Sequence, residues 1–164
     1  MLAIALLFVG ITLITNGVLF LQKCDVKSIA FLNIITAIVL ILGNFIGLAR
    51  AETMMDYTNA GSGFLFGFTY AFIAGNLLLN LDGRVYGWYS LMVAIYAVIM
   101  GFSALSAGLM NFVFLWFTWS VLWGAGFVEN VLKKPLGKFM SYLCIGEGIF
   151  AAFIPSILLF FEIW

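Results

Sequence analysis

Residues 2–22 read LAIALLFVGITLITNGVLFLQ and residues 29–49 read IAFLNIITAIVLILGNFIGLA, separated by the polar stretch KCDVKS at 23–28. Neither run contains a charged side chain. At a rise of about 1.5 Å per residue, a helix of about 20 residues crosses the roughly 30 Å hydrocarbon core of a bilayer. In lipid only helices and closed barrels satisfy the backbone, and barrel strands alternate apolar with polar residues. These runs are continuous, so helices are expected. Working outward, charges and turn residues cut the rest of the chain the same way. Spans are expected near 2–22, 29–49, 60–81, 86–102, 108–132 and 140–161.

Composition agrees. Of 164 residues, 65% are hydrophobic and 9% charged, with mean hydropathy +1.20; soluble domains carry about 25% charged residues. The expected fold is an all-α integral membrane protein of six transmembrane helices, forming one domain over residues 1–164 with lipid as its solvent. Six spans use about 120 residues and leave about 44 for loops. Loops this short build no catalytic domain or nucleotide site, and no enzyme is expected. The net charge is zero, which gives no footprint for nucleic acid. There is no histidine, and Cys24 and Cys144 lie far apart, fitting neither a disulfide framework nor a zinc pattern. No cofactor or metal is implied. No Lys or Arg precedes the first apolar run, so it reads as a span rather than a cleaved leader.

Lys23, Lys27, Arg84, Lys133, Lys134 and Lys138 fall in loops one, three and five, and Arg50 alone falls on the other side. By the positive-inside bias both termini are expected outside the cell membrane. A faint repeat accompanies this pattern. The first, third and fifth spans each end in an asparagine leading to a basic loop: Asn16 before Lys23, Asn76 before Arg84, and Asn130 before Lys138. Three repeated two-helix hairpins around an axis normal to the bilayer would produce it; so would the general likeness of apolar sequences.

Phe112, Trp116, Trp119 and Trp123 share one helical face of the fifth span. Interfacial tryptophans gather at span ends, yet Trp116 and Trp119 fall mid-span. Leu2, Leu6, Val9, Leu13 and Asn16 form a stripe on the first span, and Phe66 and Tyr70 stand one turn apart on the third. Two roles fit these stripes. They could be ordinary packing faces, or they could wall a path for a flat, neutral solute. In that path rings would stack on the solute plane, while hydroxyl, indole N–H and amide groups met its edges. Ions would find no substitute for their hydration shell there. Glu147 lies roughly 10 Å into the sixth span, where an ionised carboxyl costs about 2.5–3.5 kcal/mol at the midplane. It has either a functional role inside the bundle or a structural hydrogen bond between helices. Glu129 and Lys133 have the spacing of an i,i+4 ion pair, and Gly43 and Gly47 that of a close-packing motif.

Several motifs together resemble the AmiS/UreI family of bacterial urea and short-amide channels. They include Asn16-Gly17, Asp25-Val-Lys-Ser28, Gly63-Phe-Leu-Phe-Gly-Phe-Thr-Tyr70 and Leu81-Asp82-x-Arg84-x-Tyr86-x-Trp88. The later half adds Trp119-Ser-Val-Leu-Trp123, Phe127-Val-Glu-Asn130, Pro135-Leu-Gly-Lys138, Glu147-Gly148 and Ile154-Pro155. The resemblance implies a hexameric ring of six-helix protomers in the cytoplasmic membrane, each passing urea or short amides passively. A cytoplasmic urease or amidase would be its functional neighbour. The pore-lining set it implies is Leu6, Val9, Leu13, Phe66, Tyr70, Trp116, Trp119, Leu122 and Trp123, with Glu147 nearby. Some members of the family are gated by acid through histidines in outer loops. This chain departs there, having short outer loops and no histidine.

Overall fold

A computed structural model describes residues 2–164, and it is helical throughout with no strand among the described residues. The helices are α1 (Leu2–Leu21), α2 (Val26–Ala49), α3 (Met54–Leu79), α4 (Gly83–Ser106), α5 (Met110–Asn130) and α6 (Lys138–Gly148). A π-helical turn (Ile149–Phe153) then continues α6 into α7 (Ile154–Phe160). Together the sixth helix runs from Lys138 to Phe160, so six helices are long and apolar enough to cross a membrane. The chain is a multi-pass membrane protein.

Capping explains why several helices start earlier than the expected spans. Asp25 accepts from the Ser28 N–H at 2.9 Å and starts α2 within the polar stretch. Thr53 and Asp56 form a reciprocal capping box that starts α3 at Met54 rather than near 60. Asp82 caps α4 and is bonded by the Arg84 side chain. That side chain and the Arg84 N–H hold the Asp82 carboxyl at about 2. The fourth span expected at 86–102 accordingly extends to 83–106.

Helix pairing follows small residues rather than hydrophobicity, since lipid tails are as apolar as leucine. The closest packing joins α2 to α3, α4 to α5, and α1 to the sixth helix; neighbours within the expected hairpins, α1–α2, α3–α4 and α5–α6, touch less. Each close pair crosses at glycines. A Cβ on Gly63 or Gly67 of α3 would enter Asn44 or Ile41 of α2, and one on Gly87 or Gly126 would meet the facing helix of the α4–α5 pair. Gly10, Gly17 and Gly148 do the same between α1 and the sixth helix. The expected packing role of Gly47 is not observed: a Cβ there would meet nothing within 4 Å.

Looser contacts are bridged by polar pairs. Asn16 and Asn33 exchange two amide hydrogen bonds at 3.0 Å, and the Thr12 and Thr36 hydroxyls bond at 2.6 Å. These tie α1 to α2. Gly17 meets Ser141 and Gly83 meets Asn130, so odd and even helices run oppositely. All loops carrying Lys or Arg except the one with Arg50 therefore gather at one end of the bundle.

Candidate functional site

A cavity of about 290 Å³ lies mainly among α1, α3 and α5, with Tyr86 of α4 and Met140 and Cys144 of α6 completing its lining, far above the roughly 10–15 Å³ that one water needs. One part of its wall is formed by Val9 and Leu13 of α1, Phe66 and Tyr70 of α3, and Trp119, Leu122 and Trp123 of α5. Toward the basic-loop end its lining is Asn16, Asn76, Asn130, Glu129 and Tyr86. The three asparagines singled out by the sequence repeat thus line one space.

The aromatic wall is built from interlocked rings. Phe66 stands edge-on to Trp119 and Trp123, with ring centroids 4.7 and 4.8 Å away, and Trp116 stands edge-on to Trp119 at 5.2 Å. Edge-to-face pairs at such separations are favourable through the ring quadrupole. Both indole N–H groups are engaged within the protein. Trp119 Nε1 donates to the Ala151 carbonyl at 3.2 Å, and Trp123 Nε1 donates to Thr69 Oγ1 at 3.0 Å. Proline explains the first bond. In an α-helix the donor to Ala151 O would be the N–H of residue 155, which is Pro155 and has none. The turn relaxes to π geometry and its carbonyl receives the indole. The Thr69 hydroxyl in turn donates to Leu65 O at 2.8 Å. The expected role of the indole N–H groups at a solute's edges is therefore not met at Trp119 or Trp123. They anchor the rings, whose faces and edges form the wall.

The family model of AmiS/UreI transporters matches residues 1–163. The chain belongs to the AmiS/UreI family. It is 34% identical, over the full length of both proteins, to a protein of Helicobacter pylori named acid-activated urea channel. That alignment runs over 194 positions against 164 residues here, so the relative holds segments with no counterpart in this chain. A protein of Mycolicibacterium smegmatis named putative amidate substrates transporter protein is 30% identical, over 98% of this chain and 77% of that one. The crystal structure of the urea channel of Helicobacter pylori superposes with TM-score 0.91 at 39% identity, covering 100% of this chain and 99% of that one. These relatives are channels and transporters, not enzymes, and this chain is a member of a transporter family.

Of the ten positions that AmiS/UreI membership suggested from sequence, Val9, Leu13, Phe66, Tyr70, Trp119, Leu122 and Trp123 share the cavity wall. Leu6 and Trp116 lie one turn farther along α1 and α5, buried in the packed core outside that wall. Glu147 stands apart. It is 7% exposed and lines a separate groove with Thr118, Val121 and Phe150, and its Oε2 has no hydrogen-bond partner among the described residues. Sequence reasoning gave Glu129 a plain ion pair with Lys133, and the structure replaces that reading. Helix α5 ends at Asn130, and Lys133 adopts a left-handed φ of 54°. The two residues never share a helical face, and the only salt bridge among the described residues is Arg84–Asp82. Glu129 lines the cavity instead.

Proposed function

We propose that this chain is a passive channel for urea in the bacterial cytoplasmic membrane, with the aromatic and aliphatic cavity of each protomer as its conducting path. The observation that carries the reading is the wall of Phe66, Trp119 and Trp123 facing Val9 and Leu13. These five side chains are aromatic or aliphatic and uncharged, which suits a flat neutral solute and offers ions no replacement for hydration. Leu6 and Trp116 complete the path one turn farther on, while Glu147 lies in the separate groove. Further parts of this reading are both termini outside, three repeated helix pairs around the path, a homohexamer, and a cytoplasmic urease or amidase using the product. The decisive test is urea uptake into proteoliposomes. Flux well above that of protein-free vesicles is expected, whereas flux equal to theirs would make the protein a non-conducting scaffold. A second reading, a channel for short aliphatic amides such as formamide or acetamide, is favoured by the name of the mycobacterial relative; comparing acetamide with urea flux decides it.

Gating by acid through histidine is excluded from this reading. Histidine is the only side chain whose unperturbed titration falls between about pH 5 and 8, and the chain has none. The segments joining α2 to α3 and α4 to α5 are a few residues long. Beside the first, the Thr53 hydroxyl and N–H and the Glu52 N–H hold the Asp56 carboxyl below its ordinary range. A lowered carboxylate stays ionised throughout that window and contributes no switch. Urea permeability is expected to be nearly flat from about pH 7.5 to 5.5, by stopped-flow uptake on wild type and on Glu147→Gln. A steep rise on acidification that survives in Glu147→Gln would overturn the ungated reading.

A further inference from the structure

Several polar groups on the cavity wall are occupied by protein partners. Asn16 is spent on Asn33, the Asn130 amide donates to Gly126 O at 2.9 Å, and Thr69 both donates and accepts within the bundle. Tyr70 donates to Val9 O. Four polar wall residues differ, and two of them, Tyr86 and Cys144, each present only a single hydroxyl or thiol. The Glu129 carboxyl and the Asn76 amide make no hydrogen bond or ion pair with any described residue, and both line the basic-loop end of the cavity.

We propose that Glu129 is a solute-recognition residue at this mouth, accepting one N–H from each nitrogen of urea, while the Asn76 amide, which lines the same cavity, is free to donate to the urea oxygen at the solute's opposite end. This rests on the channel reading and sharpens its substrate. Urea presents, on the side away from its oxygen, two N–H bonds that point the same way from two different nitrogens. The two oxygens of a carboxylate match that fork, as they match a guanidinium, and charge-assisted paired bonds of this kind are the strong ones. Acetamide carries a methyl group in place of the second nitrogen, so it offers only one arm. A solute leaving or entering the ring-walled slot exchanges water at this mouth, and a two-point acceptor there lowers the cost selectively for urea. Glu129 lies in the last turn of α5 and lines the cavity there.

The experiment compares urea and acetamide uptake in proteoliposomes for wild type and Glu129→Gln, with assembly checked by size exclusion. Gln keeps the length but offers one acceptor oxygen. The urea-to-acetamide flux ratio is expected to fall by roughly three- to tenfold, the worth of one such bond. A measurement on wild type alone keeps the test independent of the variant's folding. Labelled-urea flux is challenged with two inhibitors of equal size. N,N′-dimethylurea retains an N–H on each nitrogen and should inhibit; N,N-dimethylurea has lost both from one nitrogen and should inhibit far less. Equal inhibition by the two, or an unchanged flux ratio in a folded Glu129→Gln, overturns the proposal. Wild type that passes neither urea nor acetamide would instead overturn the channel reading on which it rests.

Discussion

Gly10→Ala is expected to destabilise the protein strongly, although it adds one methyl group to a membrane helix. A Cβ on Gly10 would stand 2.6 Å from the backbone nitrogen of Phe153 and 2.8 Å from its Cα. Neither atom can rotate away, so α1 and the sixth helix must part or the π turn must move. Overpacking of this kind costs about 1–3 kcal/mol or more, and here it strikes the turn whose Ala151 carbonyl anchors Trp119. The thermal midpoint in detergent should fall by several degrees, with loss of a single size-exclusion peak. Gly61→Ala is the control, because a Cβ there meets nothing within 4 Å. Equal stability of the two variants would mean that the close crossing of α1 on the sixth helix is not required.

Trp119→Ala and Trp123→Ala are expected to change conduction rather than merely slow it. Each ring is 5% exposed or less and is wedged edge-on against Phe66. Removing one opens the slot to water and removes a face for the solute. Aromatic contacts contribute about 0.5–1.5 kcal/mol beyond burial, so urea-over-water selectivity should drop by about tenfold. Trp119→Phe separates the wall from the anchor. It keeps a ring but leaves Ala151 O without its indole donor, at a cost of about 1–3 kcal/mol in stability. Stopped-flow urea and water permeabilities on monodisperse protein provide the readout. Folded alanine variants with wild-type selectivity would remove the rings from the path.

How much of the site was legible can be judged residue by residue. Phe66 and Tyr70, or Trp119 and Trp123, could be grouped because one helix's periodicity decides which side chains share a face. That Val9 faces Phe66 across a gap depends on three helices at once, and resemblance to the family supplied it where periodicity did not. The indole N–H groups were misjudged because their acceptors, Ala151 O and Thr69, lie on other helices. The Glu129–Lys133 pair was misjudged because helical spacing was extended past Asn130, where the helix stops.

The sequence by itself determined that this protein is six apolar helices and which end of the bundle collects its basic loops. The reason is local: in lipid each segment must satisfy its own backbone, so length and charge suffice to mark the spans. Which helices clasp each other was decided only in three dimensions. Without water to drive apolar surfaces together, pairing rests on how near two backbones can come. Gly43-xxx-Gly47 and Gly63-xxx-Gly67 read alike as strings, yet Gly47 faces open space while Gly63 and Gly67 receive α2. The Glu129 carboxyl belongs to the same category, because its lack of a partner among the described residues is a property of everything folded around it.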